Sequence, residues 1–153
     1  MKLRVVWFGL VASTALLAGC LGGNSNGPAV PTPGPTCSPP AGTQYALVYP
    51  APSSTNIPDT FGQVIVGASP ALPSSWNAVV AVQALGISAG GNAFVTAATP
   101  LPQPTATPAF ANPVYQSSTF GSLTFPAQNV QVYLNDLASN CTPLGPIGSF
   151  TTR

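Results

Sequence analysis

The chain contains no histidine and no glutamate, and Asp59 and Asp136 are its two carboxylate side chains. Without an imidazole, Ser-His-acid and Cys-His nucleophilic systems are excluded, as is any histidine metal site. If they met in space, Asp59 and Asp136 would make an acid and base pair or join backbone carbonyls around a calcium ion. Each also sits where aspartate makes local hydrogen bonds: Asp59 follows a proline in a turn, and Asp136 ends a strand-like run. Serine is abundant, but no general base singles one out as a nucleophile. The expectation is a chain with no catalytic residue, no cofactor and no metal site. The side chains left with chemistry to offer are three cysteines, Cys20, Cys37 and Cys141, and a scatter of aromatic rings.

Cys20 closes the opening stretch MKLRVVWFGLVASTALLAGC. Lys2 and Arg4 precede an apolar run from Val5 to Leu17, and the small residues Ala18 and Gly19 follow. A charged front, an apolar middle and a small-residue end make a secretory signal peptide. The run is shorter than the roughly 20 apolar residues of a bilayer-spanning helix. An uncleaved membrane helix and a plain secreted protein are the competing readings, since small residues also serve an ordinary signal peptidase. Leu17-Ala18-Gly19-Cys20 resembles the lipobox of bacterial lipoproteins. The resemblance implies cleavage after Gly19, a diacylglyceryl group on the Cys20 sulfur and acylation, such as palmitate, on the freed amine. Residues 1–19 are then the signal peptide. Membrane lipid held through Cys20 is the first partner, and the location is the bacterial cell envelope. Leu21 lacks the aspartate associated with inner-membrane retention in lipoproteins, which favours the outer membrane or cell surface.

With Cys20 committed to lipid, one intramolecular pairing remains. An exported chain meets an oxidising compartment, and a Cys37–Cys141 disulfide would pin the domain's entry to the loop before its last strand. No CxxC spacing points to redox catalysis. Removal of residues 1–19 also removes Lys2 and Arg4, leaving Asp59, Asp136 and Arg153 as the charged side chains. Phosphate-backbone binding then has almost no electrostatic source, so nucleic acid is excluded as a partner. Solubility must rest on Ser, Thr, Asn, Gln and exposed backbone. Residues 20–41 form the lipidated N-terminus and a tether, Gly- and Asn-rich first and Pro-Thr-rich later, flexible and then extended.

The folded domain is expected over residues 42–153. Strand-like runs cover 45–49, 61–66 and 76–83, the last assigned to a strand because Val79, Val80 and Val82 are β-branched. A turn over 86–91 precedes a fourth strand at 92–97. Residues 98–113 hold repeated prolines and read as an extended crossing from one sheet to the other. Strand character resumes at 114–120. At 129–135 the alternation is cleanest, with Val130, Val132 and Leu134 on one face and Gln131, Tyr133 and Asn135 on the other. A loop over 136–146 leads to a closing strand at 148–152. About seven short strands with regular turns predict an all-β, two-sheet antiparallel sandwich.

Leu47-Val48-Tyr49-Pro50, Asn56-Ile57-Pro58-Asp59 and Phe61-Gly62-Gln63-Val64 resemble the opening strands of bacterial immunoglobulin-like domains. The strand Val130 to Asn135 and the closing Gly148 to Thr152 are similar to the last two strands of those domains and of fibronectin type III modules. Val130 stands where fibronectin modules commonly carry the tyrosine of the tyrosine corner, a departure from that subtype. The resemblance implies an immunoglobulin-like sandwich serving as a spacer, adhesion module or binding platform, and fold alone does not choose among these. Trp76 reads as core filler or a lid at a sheet end. Tyr45, Tyr49, Tyr115 and Tyr133 offer stacking surfaces. Tyr133, opposite the buried stripe and flanked by Gln131 and Asn135, makes the best candidate face for an envelope protein or a neutral glycan. Edge strands rich in Ser and Thr would instead permit sheet augmentation.

Overall fold

The computed structural model describes residues 34–153. Eight strands follow in chain order: β1 (Gln44–Tyr49), β2 (Gln63–Ser69), β3 (Trp76–Val82), β4 (Ile87–Ala93), β5 (Val95–Thr96), β6 (Val114–Thr119), β7 (Asn129–Asp136) and β8 (Leu144–Thr151). They form two four-stranded sheets with orders β1-β2-β6-β5 and β4-β3-β7-β8, and every pairing between these strands is antiparallel. The first sheet reproduces the A-B-E-D order of immunoglobulin domains, and β3-β7-β8 the C-F-G order, with β4 added beside β3. The expected immunoglobulin-like β-sandwich is therefore the fold.

Period-two alternation builds the core. Val64, Val66 and Ala68 of β2, Ala78, Val80 and Val82 of β3, and Val130, Val132 and Leu134 of β7 all face the space between the sheets and are buried. Trp76, at the head of β3, joins the same cluster. One end is filled by four phenylalanines: the Phe61 ring lies edge-on to Phe120 and Phe150, with centroids 6.0 and 5.0 Å away, and is stacked on Phe125 at 5.9 Å. Such pairs add about 0.5–1.5 kcal/mol each beyond their buried area.

Three expectations need correction. The turn expected at 86–91 and the strand at 92–97 are instead a tight hairpin followed by a strand that changes sheets. A 3-10 turn at Gln83–Leu85 ends at Gly86 in the left-handed region (φ 63°), and β4 starts at once with Ile87. Gly90 and Gly91 lie inside β4 and serve close approach. A Cβ at Gly91 would run into Ser118 Oγ and come within 3.1 Å of the Phe120 ring. The chain passes to the other sheet at Phe94, whose N–H donates to the Trp76 carbonyl at 2.7 Å.

The proline-rich stretch 98–113 does not cross between sheets, because β5 and β6 on either side of it are neighbours in one sheet. It lies over that sheet's outer face. There Val48, Tyr49 and Ile65 point outward and form a second apolar cluster with Ala97, Leu101 and Tyr115. A Cβ at Gly67 would stand 2.7 Å from Pro108 Cγ, and Ala106 N–H donates to the Val48 carbonyl at 2.9 Å. An apolar outer face needs a cover, and a proline-rich segment supplies one with few backbone donors to satisfy.

The closing strand starts at Leu144, four residues before its expected start at 148, because a bulge between Val132 and Leu134 accommodates Gly145 and Pro146. Proline is tolerated there because β8 is an edge strand. The outer edge of β8 is occupied near its end: Ser53 N–H donates to the Ser149 carbonyl at 2.7 Å, and Ile57 N–H to the Thr151 carbonyl at 3.2 Å.

Candidate interaction face

Asp136 stabilises a turn, and Asp59 lies in one. Asp136 accepts hydrogen bonds from Ser139 Oγ at 2.6 Å and from Ala138 N–H at 3.1 Å. Bonds from Ser139, then Ser75, then the Ala138 backbone hold its carboxyl below the usual carboxylate range. Asp59 uses its main-chain carbonyl, which accepts from Phe125 N–H at 3.1 Å. Among the described residues no group of three or more His, Cys, Asp or Glu side chains can hold a metal ion. The domain is a two-sheet β-sandwich.

Cys20 lies outside the described residues. Cys37 and Cys141 form the expected disulfide, with Cα atoms 5.0 Å apart and a sequence separation of 104. Closing a loop of that length is worth about 4–5 kcal/mol in the chain-entropy account. The bond is reinforced by a short parallel bridge between Thr36 and Thr142: Cys37 N–H donates to the Thr142 carbonyl, and Thr142 N–H to the Pro35 carbonyl, both at 2.9 Å. The entry segment is thereby fixed to the β7–β8 loop.

Two inward polar residues of β6, which the apolar pattern gave no reason to single out, hold backbone groups in the interior, and one of them joins the two sheets. Gln116 is buried and holds Leu72 from both sides: Oε1 accepts from the Leu72 N–H at 2.7 Å, and Nε2 donates to the Leu72 carbonyl at 2.9 Å. Ser118 Oγ donates to the Asn92 carbonyl at 2.6 Å and accepts from the Ala78 N–H at 3.2 Å, linking β6 to the opposite sheet.

On the second sheet, residues 77, 79 and 81 of β3 pair with 135, 133 and 131 of β7, so Gln131, Tyr133 and Asn135 share the outer face as the alternation predicted. All three are half-buried, less displayed than expected. Tyr133 Oη donates to Gln131 Oε1 at 2.6 Å and accepts from Gln83 Nε2 at 3.2 Å. The ring lies across Gly145, where any Cβ would collide with Tyr133 Cδ1. Asn135 belongs to a different neighbourhood. Its Oδ1 lies 3.6 Å from Cys37 Sγ, a packing contact because a disulfide sulfur carries no proton. Its cross-strand neighbour Asn77 is buried, so this end of the face is closed.

The face opens further along β7. Val79, Ala81, Ser88, Tyr133 and Pro143 line a shallow depression of about 200 Å³. Sequence reasoning found Tyr133 and missed the other four. Val79 and Ala81 lie within a strand that reads as uniformly apolar, and Ser88 reaches the site only through the β3–β4 register, which pairs Ala81 with Ser88. No protein-family model, curated protein or solved structure matches this chain.

Proposed function

We propose that this chain is a lipid-anchored protein of the bacterial cell envelope whose immunoglobulin-like domain acts as a structural and protein-interaction module. The outer face of sheet β4-β3-β7-β8 is the contact surface in this reading. The observation that carries it is the asymmetry of the two outer faces: proline-rich residues 98–113 cover one, while the other keeps an apolar depression around Tyr133. The lipobox-like Leu17-Ala18-Gly19-Cys20 supports the anchor, and the absence of lysine after Lys2 fits a neutral contact surface.

A glycan is the second reading, favoured by the neighbouring amides of Gln131 and Gln83. Against it, the Tyr133 hydroxyl is already engaged as donor and acceptor, and the ring is packed across Gly145. The test is a photo-crosslinking residue at Ser88 in intact producing cells, with exposed Gln103 on the covering segment as the control position. A discrete protein adduct from Ser88 and none from Gln103 is expected in the membrane fraction, with Cys20→Ser releasing the protein from that fraction. Absence of an adduct at Ser88, or equal adducts at both positions, would rule out the face. Retention of the Cys20→Ser protein would rule out the anchor.

A further inference from the structure

We propose that the Cys37–Cys141 bond is a tension lock: it carries load arriving along the N-terminal segment past edge strand β1 and delivers it to the β7–β8 loop. The inference deepens the lipid-anchor reading, on which it rests for the source of the load. By the main chain alone, load at Cys37 would run through residues 38–43 to Gln44, where β1 begins. β1 is the outermost strand of its sheet and pairs with β2 alone among the strands, with Gln44–Ser69 as the first pair of the ladder. An edge ladder loaded at its end yields one pair after another. Loss of β1 would also uncover Leu47 of the main core.

The disulfide offers a shorter path. Cys37 is buried in the main core cluster and bonded to Cys141, so tension crosses to the β7–β8 loop before it reaches residue 38. The hydrogen bonds from Cys37 N–H to the Thr142 carbonyl and from Thr142 N–H to the Pro35 carbonyl flank the crossing. From Cys141 the covalent path towards Arg153 is β8 itself. A strand rises about 3.2–3.4 Å per residue against a limit of about 3.6 Å, so roughly nine-tenths of its reach is already used. Little slack remains to be drawn out. β8 is held by β7 on one side and, near its end, by the N–H groups of Ser53 and Ile57 on the other. Residues 38–140, which contain β1 to β7, form a closed loop off the loaded path. Pro143, on the rim of the Tyr133 depression, follows the crossing directly, so load reaches that face without passing through β1.

The test stretches the full chain, carrying Cys20→Ser and a ligation tag at each end, at constant tension in magnetic tweezers, after mass spectrometry has verified the closed disulfide. Dithiothreitol then opens the bond. Its thiolate attacks the sulfur of half-buried Cys141, and Cys37 leaves as a thiolate and takes a proton. The reagent's second thiol displaces Cys141, which is protonated in turn, and closes the reagent's own disulfide. In the oxidised chain the first unfolding step is expected to be shorter than about 50 Å, the stretch available between Cys141 and Arg153. The reduced chain should give one step of roughly 350–400 Å. At the same tension the oxidised chain should outlast the reduced one at least about tenfold. A second oxidised sample receives urea until its unfolding free energy equals that of the reduced chain in water. It should keep the longer lifetime, because the path of the load is unchanged. Equal lifetimes of these matched samples would show that the bond acts through stability alone and would overturn the proposal. A long step before reduction, or a reduced chain already unfolded without tension, would overturn it too. The stretched chain carries no lipid, so failure here leaves the anchor to be judged separately by the Cys20→Ser fractionation.

Discussion

Gly91 shows how a single residue sets the distance between the two sheets. Its missing side chain lets β4 lie against Ser118 and Phe120, and Ser118 then bonds both Asn92 and Ala78. Gly91→Ala is expected to cost about 1–3 kcal/mol, because the added methyl meets the backbone-anchored Ser118 hydroxyl and an aromatic ring. Urea unfolding of the variant measures this, and a loss of under 0.5 kcal/mol would show that the sheets adjust freely. The same glycine explains a misreading. Gly90-Gly91 looks like turn chemistry in sequence, but neither residue has a positive φ, unlike Gly86 just upstream. Sequence shows that a glycine is present; only the opposing sheet shows what it makes room for.

At the scale of elements, strands with strict alternation were legible and segments governed by long-range contacts were not. The strand at 129–135 is found as β7, with Val130, Val132 and Leu134 fully buried. The cover over the first sheet was hidden because the need for it lies in residues far away in sequence. Val48 and Ile65 point outward only once β1 and β2 are paired. Replacement of residues 100–108 by a Gly-Ser linker of equal length is expected to destabilise the domain by several kcal/mol, at roughly 1.5–3 kcal/mol for each large apolar side chain fully uncovered. It should also create binding sites for a hydrophobic dye. Unchanged melting and no added dye fluorescence would show that the segment is a passive loop. At the Tyr133 site, one residue was legible from period two alone. Its companions Ser88 and Pro143 depend on register and loop placement.

The described domain is a two-faced sandwich. One face is closed by its own chain, and the other is closed at the disulfide end and open at Tyr133. The sandwich architecture was readable from strand number and spacing, and the disulfide from the count of three cysteines once Cys20 is expected to carry lipid. Sheet membership was not readable, since Phe94 moves the chain between sheets without proline or glycine at the step. The most direct measurement is hydroxyl-radical footprinting of the intact chain, purified and in producing cells, read on large fragments because no internal lysine or arginine follows Arg4 for trypsin. Tyr133 on the open face is compared with Tyr115 beneath the proline-rich cover. The account predicts that Tyr133 is oxidised readily in the purified protein and protected in cells, while Tyr115 is unchanged between the two. Equal oxidation of Tyr133 in both settings would contradict a contact surface there.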